Sequence, residues 1–291
     1  MPLALGLTPL AKENDMTEFL TLDDGTLAYE VTGTGPLVVL AHGMGADRTA
    51  YRHLAPQLVA AGYRVASVDL RGCGESSAEW PTYSRTAIAG DLLALVRHLG
   101  GPAVLVGHSI SGGAVTIAAA QAPELVTALV ELTPFTRKQA ISLRDLRSAR
   151  FRRGMRHLLG AGVLGSVASW RKYLDVAYPG AKPADWTERL DHLEAKLREP
   201  GRMKALKGMG TTPATDAGAL LGGVRCPVLV VQGGLDPDWA SPRAEGEAIV
   251  AELPAGRGRL AVIEGTGHYP HHQVPDEVAA VVLPFLAGVD A

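Results

Sequence analysis

The sequence has little of several features that mark special classes of protein. Its 291 residues include two cysteines, Cys73 and Cys226, which lie far apart and lack the CxxC spacing of redox and zinc sites. No window approaches the ~18 to 20 uninterrupted apolar residues of a membrane-spanning helix. Residues 1–16 lack the basic stretch and the cleavage site of a secretory signal. We therefore expect a cytoplasmic protein without a disulfide framework, a membrane span or a metal cluster.

A large excess of one charge is also lacking. The chain carries 28 Lys and Arg residues against 30 Asp and Glu residues, which gives a formal net charge of -2. A protein that holds nucleic acid by attraction over its whole surface needs an excess of positive charge, so this class is disfavoured. With 47% hydrophobic residues, 20% charged residues and no internal repeat, the sequence predicts a compact globular protein with a full core.

Short apolar runs alternate with helical patterns along much of the chain. A hairpin is predicted over residues 18–32, where Gly25 can adopt the positive φ of a tight turn. Further strands are predicted at residues 36–41, 64–69, 103–106, 126–132, 227–231 and 259–263. Helices are predicted at residues 49–61, 84–99, 110–121, 242–253 and 274–286. This alternation predicts an α/β fold with a mostly parallel sheet and helices on both faces.

The alternation is interrupted once. Between residues 135 and 219 we find no strand-like run, and apolar residues recur at helical spacing. Because the strand and helix pattern resumes at Cys226, this stretch is an insertion into one domain. We predict a core over residues 17–134 and 220–291, a helical insertion over residues 135–219, and an N-terminal extension over residues 1–16.

One serine lies on a predicted strand-to-helix turn. Residues 104–113 read VLVGHSISGG, in which Ser109 directly follows the strand. A sharp turn of this kind needs small residues two before and two after the serine, because the strand and helix backbones approach closely. Gly107 meets the first requirement, but Ser111 stands where a second glycine is usual. A register with Ser111 as nucleophile therefore stays open, and Ser109 is preferred because of its place at the strand end.

A serine nucleophile needs a base, and the base needs an acid that holds its tautomer. His268 and Asp236 each follow a predicted strand, so both are expected at the carboxyl edge of the parallel sheet. The chain order Ser, Asp, His is that of a serine presented on a strand-to-helix turn of an α/β sheet. Asp238 and Glu131 remain alternatives for the acid.

Two further patterns have simpler explanations. Residues 160–165 match GxGxxG, but they follow a helical stretch without a βαβ unit, so we expect a bend and no dinucleotide site. His268, His271 and His272 cluster in sequence, yet no nearby carboxylate completes a set of metal ligands. We expect neither a metal nor a cofactor.

Together these motifs resemble those of the α/β-hydrolases, in particular serine esterases with a lid. Residues 42–45, HGMG, are similar to the family's oxyanion loop, and residues 69–76, DLRGCGES, are similar to its DxRGxGxS turn. The resemblance covers nearly the whole chain from Glu18 and implies that the insertion is a lid between the sixth and seventh family strands. It also implies that the amides of Met44 and Ile110 hold the oxyanion, with His42 orienting this loop beside the substrate.

The type of nucleophile separates the chemistries of this family. Its epoxide hydrolases and haloalkane dehalogenases have Asp at the turn, whereas Ser109 favours acyl transfer followed by hydrolysis. An ester, lactone, thioester or amide is therefore the expected substrate. A carbon–carbon bond hydrolase with the same triad is one alternative, and a ligand-binding or signalling relative with little turnover is another.

The predicted lid is aromatic and cationic. The aromatic residues that we expect at the substrate are Phe135, Trp170, Tyr173 and Trp186. Residues 135–219 contain 17 Lys and Arg against 8 Asp and Glu, a balance of +9, so the rest of the chain carries -11. Eight of these cations lie within residues 137–156, beside one acid, Asp145. This asymmetry predicts a small acyl substrate that is anionic or carrier-bound, such as a coenzyme A thioester, with no nucleic-acid partner.

Overall fold

A single eight-stranded sheet forms the centre of the computed structural model, which describes residues 16–289. The predicted N-terminal extension lies outside the described residues, apart from Met16. The strands are β1 (Glu18–Leu22), β2 (Gly25–Thr32), β3 (Leu37–Ala41), β4 (Arg64–Val68), β5 (Ala103–His108), β6 (Val126–Leu132), β7 (Val228–Gly233) and β8 (Gly258–Ile263). Their order in the sheet is β1-β2-β4-β3-β5-β6-β7-β8. Only the pairings of β1 with β2 and of β2 with β4 are antiparallel, so the predicted mostly parallel sheet is confirmed.

The middle strands are buried on both faces, which explains their nearly continuous apolar sequence. Every residue of β3 and β5 is buried. Successive side chains of a strand point to opposite faces. Accordingly, Val38 and Leu40 belong to one apolar cluster while Val39 belongs to the other. Two hydrophobic layers therefore hold helices against the two faces of the sheet.

The helices that cover the sheet come from both sides of the interruption. They are α1 (Ala55–Ala60), α2 (Arg85–His98), α3 (Ile110–Gln121), α9 (Pro242–Glu252), α10 (Pro270–Gln273) and α11 (Pro275–Ala287). Side chains of α1 and α11 pack on one face, and those of α2, α3 and α9 pack on the other. Ser84 caps α2 as its sequence predicts, since its hydroxyl accepts a hydrogen bond of 3.2 Å from the amide of Ala87.

The helix predicted over residues 49–61 is wrong in one respect, because the chain breaks it in two. A 3₁₀ turn, Arg48–Tyr51, comes first and is capped by Asp47, whose carboxylate accepts the amide of Thr49 at 3.1 Å. Helix α1 then starts afresh around Pro56, which has no N–H to donate to a preceding turn.

The helical insert is the stretch between the end of β6 at Leu132 and the start of β7 at Val228. It contains α4 (Ala149–Gly162), α5 (Val167–Ala177), α6 (Trp186–Arg198), α7 (Arg202–Thr211) and α8 (Thr215–Gly218), with 3₁₀ turns at Asp145–Arg147 and Leu221–Gly223. The GxGxxG match ends in the turn from α4 to α5, where Gly165 has a φ of 65°. The expected bend is confirmed. Among the described residues, no helix has both the length and the apolar character needed to cross a membrane.

Opposite charges join the insert to the core. Arg189 of α6 pairs with Asp47 at 3.0 Å, and Arg137 pairs with Glu245 of α9 at 3.1 Å. Asp185, at the start of α6, pairs in turn with Arg52 of the core. Part of the charge asymmetry of the sequence is therefore used to hold the insert in place.

Candidate active site

Ser109 lies on a strained turn between β5 and α3. Its backbone has φ 55° and ψ -118°, a conformation that costs a non-glycine residue about 1 to 3 kcal/mol. Its amide donates to the carbonyl of Leu132 at 3.0 Å, which ties the turn to the end of β6. A Cβ on Gly107 would lie 2.4 Å from the carbonyl oxygen of Ser111, so the close approach that requires glycine is real. The turn presents Ser109 at the N-terminus of α3.

Ser111 occupies the place of the usual second glycine without disturbing this turn. It is fully buried, and its hydroxyl donates to the carbonyl of His42 at 2.6 Å. The next residue, Gly112, takes the close contact, because a Cβ there would lie 2.4 Å from Cβ of Pro134. The Ser111 hydroxyl is thus engaged with the backbone of the loop that begins at His42.

His268 and Asp236 meet at the carboxyl edge of the sheet. The loops after β7 and β8 are joined by the hydrogen bond from the amide of Leu235 to the carbonyl of Thr266, at 2.8 Å. This places Nδ1 of His268 2.8 Å from Oδ2 of Asp236, with both side chains buried. A carboxylate can only accept, so Nδ1 carries the proton and Nε2 of the neutral imidazole is left as the acceptor.

A second carboxylate, Asp238, lies beside the same imidazole. Its Oδ2 is 3.4 Å from Nδ1 of His268 and accepts a hydrogen bond of 2.8 Å from the hydroxyl of Tyr173. Burial raises the pKa of Asp238, and the charge of Asp236 raises it further against the opposing effect of His268. Burial lowers the pKa of His268, but Asp236 and Asp238 together outweigh burial and leave it raised.

Glu131 occupies a separate polar pocket on β6. Its carboxyl accepts from the hydroxyls of Thr116 and Thr136, the latter at 3.0 Å. Burial raises its pKa to about 7. Both hydrogen bonds are to threonines and neither is to His268, so they do not support Glu131 as the acid.

The backbone of His268 is held on three sides. Its amide donates to the carbonyl of Ala177 in α5 at 2.9 Å. Its carbonyl accepts from the hydroxyl of Thr133 and from Nε2 of His108, each at 2.8 Å. The sequence did not identify His108 and Thr133 as residues that hold His268, because these contacts join residues more than 130 positions apart. They fix the imidazole relative to the turn that carries Ser109.

Two backbone amides near Ser109 have no acceptor among residues 16–289. They belong to Met44 and to Ile110, the first residue of α3. The loop that carries Met44 is set by His42, which is fully buried. The amide of Leu70 donates to its Nε2 at 3.1 Å, so its Nδ1 donates to the carbonyl of Gly43 at 2.7 Å. His42 therefore shapes the loop from behind.

Ser109 opens on a cavity of about 210 Å³ between the sheet edge and the insert. Its walls include Met44, Ile110, Phe135 and Trp170 together with Asp238, and most of the lining is apolar. Of the aromatic residues predicted at the substrate, Phe135 and Trp170 therefore lie here.

The other aromatic candidates are placed elsewhere. Tyr173 stacks on Trp170 at 5.1 Å and reaches the site through its bond to Asp238. Trp186 packs on Tyr178, with ring centroids 4.3 Å apart, away from the cavity wall. Several cavity residues were missed from the sequence, and the charged one among them is Arg85, the first residue of α2.

The three clustered histidines have different partners. His271 stacks on Tyr51 with ring centroids 5.0 Å apart. Nδ1 of His272 hydrogen-bonds the hydroxyl of Tyr178 at 2.7 Å, and His268 is bound to Asp236. The expectation that no carboxylate lies near these histidines is wrong, because Asp236 and Asp238 lie 2.8 and 3.4 Å from His268 and Asp185 lies 3.3 Å from His272.

A buried histidine and aspartate beside a serine on a strained turn suggests comparison with known hydrolases. A model of the alpha/beta hydrolase family matches residues 38–281. The chain belongs to the alpha/beta hydrolase family. This alpha/beta hydrolase is 30% identical to the putative non-heme bromoperoxidase BpoC of Mycobacterium tuberculosis. The alignment spans 279 residues and covers 91% of this chain and 99% of that protein.

Other similarities are more local or more distant. Bifunctional epoxide hydrolase 2 of Sus scrofa is 40% identical over 113 residues, but these are 38% of this chain and only 20% of that protein. A thermophilic esterase from Thermogutta terrifontis, solved with malate bound, has a TM-score of 0.73 at 26% identity, covering 95% of this chain and all of that one. Further relatives are named as esterases, epoxide hydrolases and a 2-(acetamidomethylene)succinate hydrolase. The neighbours share this fold and differ in their named activities, which are mostly hydrolyses of different substrates and, for BpoC, a bromoperoxidase.

Proposed function

We propose that this alpha/beta hydrolase is a serine hydrolase that cleaves a carboxylic ester, lactone or thioester through an acyl-enzyme. The observation that carries the proposal is the 2.8 Å contact between Nδ1 of His268 and Asp236, buried beside the cavity on which Ser109 opens. An orienting acid, a base with a free Nε2 and a serine on a strained turn are the three parts that acyl transfer requires.

In the proposed reaction, Nε2 of His268 takes the proton of the Ser109 hydroxyl while the serine oxygen attacks the acyl carbon. The amides of Met44 and Ile110 bind the oxyanion of the tetrahedral intermediate. His268 then gives its proton to the leaving oxygen or sulfur, and the acyl group stays on Ser109. Water repeats the sequence, with His268 as base, and releases the acid.

The oxyanion donors supply a large share of the proposed rate enhancement. Neither amide has an acceptor within the described residues, so each can bind the developing charge without first breaking a hydrogen bond. Removing one such donor in comparable sites costs about 2.7 to 4 kcal/mol of transition-state stabilisation. No hydrogen bond joins the Ser109 hydroxyl to His268 within residues 16–289, and catalytic hydrogen bonds of this kind often form only when the substrate binds.

The alternatives for nucleophile and acid have weaker support. Ser111 has an ordinary helical backbone, and its hydroxyl is bonded to the His42 carbonyl, so attack from there would first break that bond. Asp238 lies 0.6 Å farther from Nδ1 than Asp236, as the distances of 3.4 and 2.8 Å give, and its raised pKa reduces its charge. We therefore assign the nucleophile to Ser109 and the orienting acid to Asp236.

An anionic or carrier-bound substrate is part of the proposal. Five exposed arginines of the insert, all between residues 137 and 156, make no ion pair within the described residues; they are Arg144, Arg147, Arg152, Arg153 and Arg156. Their field would raise the local concentration of an anion and would be screened by salt. We expect kcat/KM for an anionic ester to fall as salt is added, while that for a neutral ester stays constant. An equal response of both esters would contradict this part.

A carbon–carbon bond hydrolase is the second candidate. Such a reaction suits a carboxylate-bearing substrate, and one relative, 26% identical over 90% of this chain, is named for such a substrate: the 2-(acetamidomethylene)succinate hydrolase of Mesorhizobium japonicum. The same serine, histidine and aspartate would serve either reaction.

The test is a panel of p-nitrophenyl esters, thioesters and lactones with purified protein. We expect turnover that Ser109→Ala reduces by roughly 10⁴-fold or more, with an unchanged melting temperature. The matched control is Ser111→Ala, which should retain turnover. Absence of turnover across the panel, with tight binding of a small ligand, would instead indicate a binding or signalling relative.

A further inference from the structure

Four arginines are buried among the described residues: Arg48, Arg71, Arg85 and Arg189. Three of them make ion pairs. Arg48 pairs with Asp69, Arg71 pairs with Asp91 at 2.7 Å, and Arg189 pairs with Asp47 at 3.0 Å. Arg85 is the most deeply buried of the four, at 5% exposure, and it pairs with no carboxylate in residues 16–289. A buried cation without a counter-ion is costly, so its presence calls for an explanation.

The hydrogen bonds of Arg85 fix its guanidinium but leave part of it unused. Nε donates to the carbonyl of Phe135 at 3.0 Å, and Nη1 donates to the carbonyl of Thr212 at 2.8 Å. Nη2 has no acceptor within the described part of the chain. Both contacts are to neutral carbonyl groups, so the positive charge is oriented without being neutralised.

The guanidinium lies close to Ser109. The amide of Phe135 donates to the carbonyl of Ser109 at 2.9 Å, while its own carbonyl accepts from Arg85. Two hydrogen bonds and the length of one residue therefore place Nε within about 10 Å of the Ser109 carbonyl oxygen. A substrate of a few carbon atoms can span the distance between the two groups.

Arg85 and Ser109 line the same cavity. A second donor also lines it, since the indole N–H of Trp170 is buried and has no acceptor among the described residues. The stem of Arg85 passes close to α3, where a Cβ on Gly113 would lie 2.8 Å from its Cδ. The backbone of α3 thus leaves room for this side chain to reach the cavity.

We propose that Arg85 forms an anion subsite in this cavity, and that the substrate is a carboxylate-bearing ester whose acyl chain spans from Ser109 to Arg85. The inference rests on the proposed serine hydrolase function and names its substrate class. A carboxylate would provide the counter-ion that Arg85 lacks and would accept charge-assisted hydrogen bonds from its free N–H groups.

The charges around Arg85 agree with this assignment. Burial lowers the pKa of Arg85 to about 10. Asp216 opposes this shift, but it lies beyond ion-pair distance and is bonded to Thr86. Among residues 16–289, Asp238 is the one carboxylate that lines the cavity. Its raised pKa weakens its repulsion of an anionic substrate.

A purely structural role would give a different result. Arg85 bonds the two ends of the insert, at Phe135 and Thr212, and could serve only to hold them to α2. Its loss would then slow all substrates alike and lower the melting temperature. Selectivity between a charged and a neutral substrate of the same shape separates the two roles.

The experiment compares mono-p-nitrophenyl adipate with the corresponding adipamate ester, in which a neutral amide replaces the carboxylate. We expect the wild type to favour the carboxylate in kcat/KM by roughly 10- to 100-fold. Arg85→Met should abolish this preference, with the loss in KM for the anionic ester, and Arg85→Lys should retain part of it. The control Arg97→Met removes an exposed charge from the other end of α2, outside the cavity wall, and should keep the preference within about twofold.

Two outcomes would overturn the subsite: no preference in the wild type, or an equal loss for both esters in Arg85→Met. Calorimetric titration with hexanoate and hexanamide separates this failure from that of the proposed hydrolysis. Binding of hexanoate that is lost in Arg85→Met supports the subsite even if neither ester is hydrolysed. Hexanoate that binds wild type and Arg85→Met equally, while both esters turn over, contradicts the subsite and leaves the hydrolase assignment standing.

Discussion

Removing the charge of Asp238 should move the acid limb of the pH profile. The base must be neutral to accept the Ser109 proton, so kcat/KM rises with pH through the pKa of His268. Asp236 and Asp238 both raise that pKa. Asp238→Asn keeps the size of the side chain and removes one of the two charges. The pKa of His268 should fall, and the variant should reach its plateau at a lower pH than the wild type.

The distance sets the size of this shift. Unit charges 3.4 Å apart interact by about 5 kcal/mol at an effective dielectric constant near 20, which is a ceiling of roughly 3 to 4 pH units. Asp238 carries less than a full charge because burial and Asp236 raise its own pKa. We therefore expect a shift of about 1 to 3 units towards acid.

The assay is kcat/KM for a neutral p-nitrophenyl ester between pH 5 and 10, in wild type and variant. Asp276→Asn is the control, since it removes the same charge from an exposed position near His268 in sequence. It should leave the profile in place. Asp236→Asn should instead lower the plateau by up to about 10⁴-fold, because the imidazole loses the partner that holds its tautomer. An unmoved limb in Asp238→Asn would refute the assignment of two carboxylates to one imidazole.

Three further changes test the surrounding structure. Burial raises the pKa of Glu131 from 4.5 to about 7, so its proton stabilises the folded state below pH 4.5 and that stability is lost as pH rises through 7. The free energy of unfolding of Glu131→Gln, measured with urea, should therefore rise by about 3 kcal/mol relative to that of the wild type between pH 4.5 and 9. Parallel curves of the two proteins against pH would contradict this. Gly267→Ala would place a Cβ 2.0 Å from the carbonyl oxygen of Ala177, so a loss of about 1 to 3 kcal/mol and of turnover is expected. Gly90 lies in the middle of α2, and a Cβ there would have no neighbouring atom within 4 Å. Gly90→Ala should therefore raise the free energy of unfolding by about 0.5 to 1 kcal/mol in the same assay.

Local sequence signals were sufficient for most of the fold. The run at residues 126–132 predicts β6 to the residue, since a β-branched apolar stretch between polar turns has few other conformations. The hairpin over residues 18–32 is confirmed, but the positive φ expected of Gly25 is wrong. Gly25 begins β2, where a Cβ would lie 2.9 Å from the ring of Trp80. The break between the 3₁₀ turn and α1 was missed because it depends on Asp47, whose cap competes with a continuous helical pattern.

The candidate site divides in the same way. Ser109, Asp236 and His268 follow strands and could be proposed from the chain alone, and the structure brings the last two to 2.8 Å. The contacts of His108 with His268 and of Tyr173 with Asp238 join segments that are distant in the sequence, so no local sequence pattern predicts them. Arg85 did leave a signal: a cation at the first position of a helix opposes the helix dipole, where an acid is the usual choice.

The central claim is that Ser109 becomes covalently acylated. Treatment with a fluorophosphonate, followed by mass mapping of peptides, tests this directly, with Ser109→Ala and Ser111→Ala treated in parallel. The account predicts one adduct on Ser109 in the wild type, the same adduct in Ser111→Ala, and none in Ser109→Ala. An adduct on Ser111, or ester turnover that persists in Ser109→Ala, would contradict it.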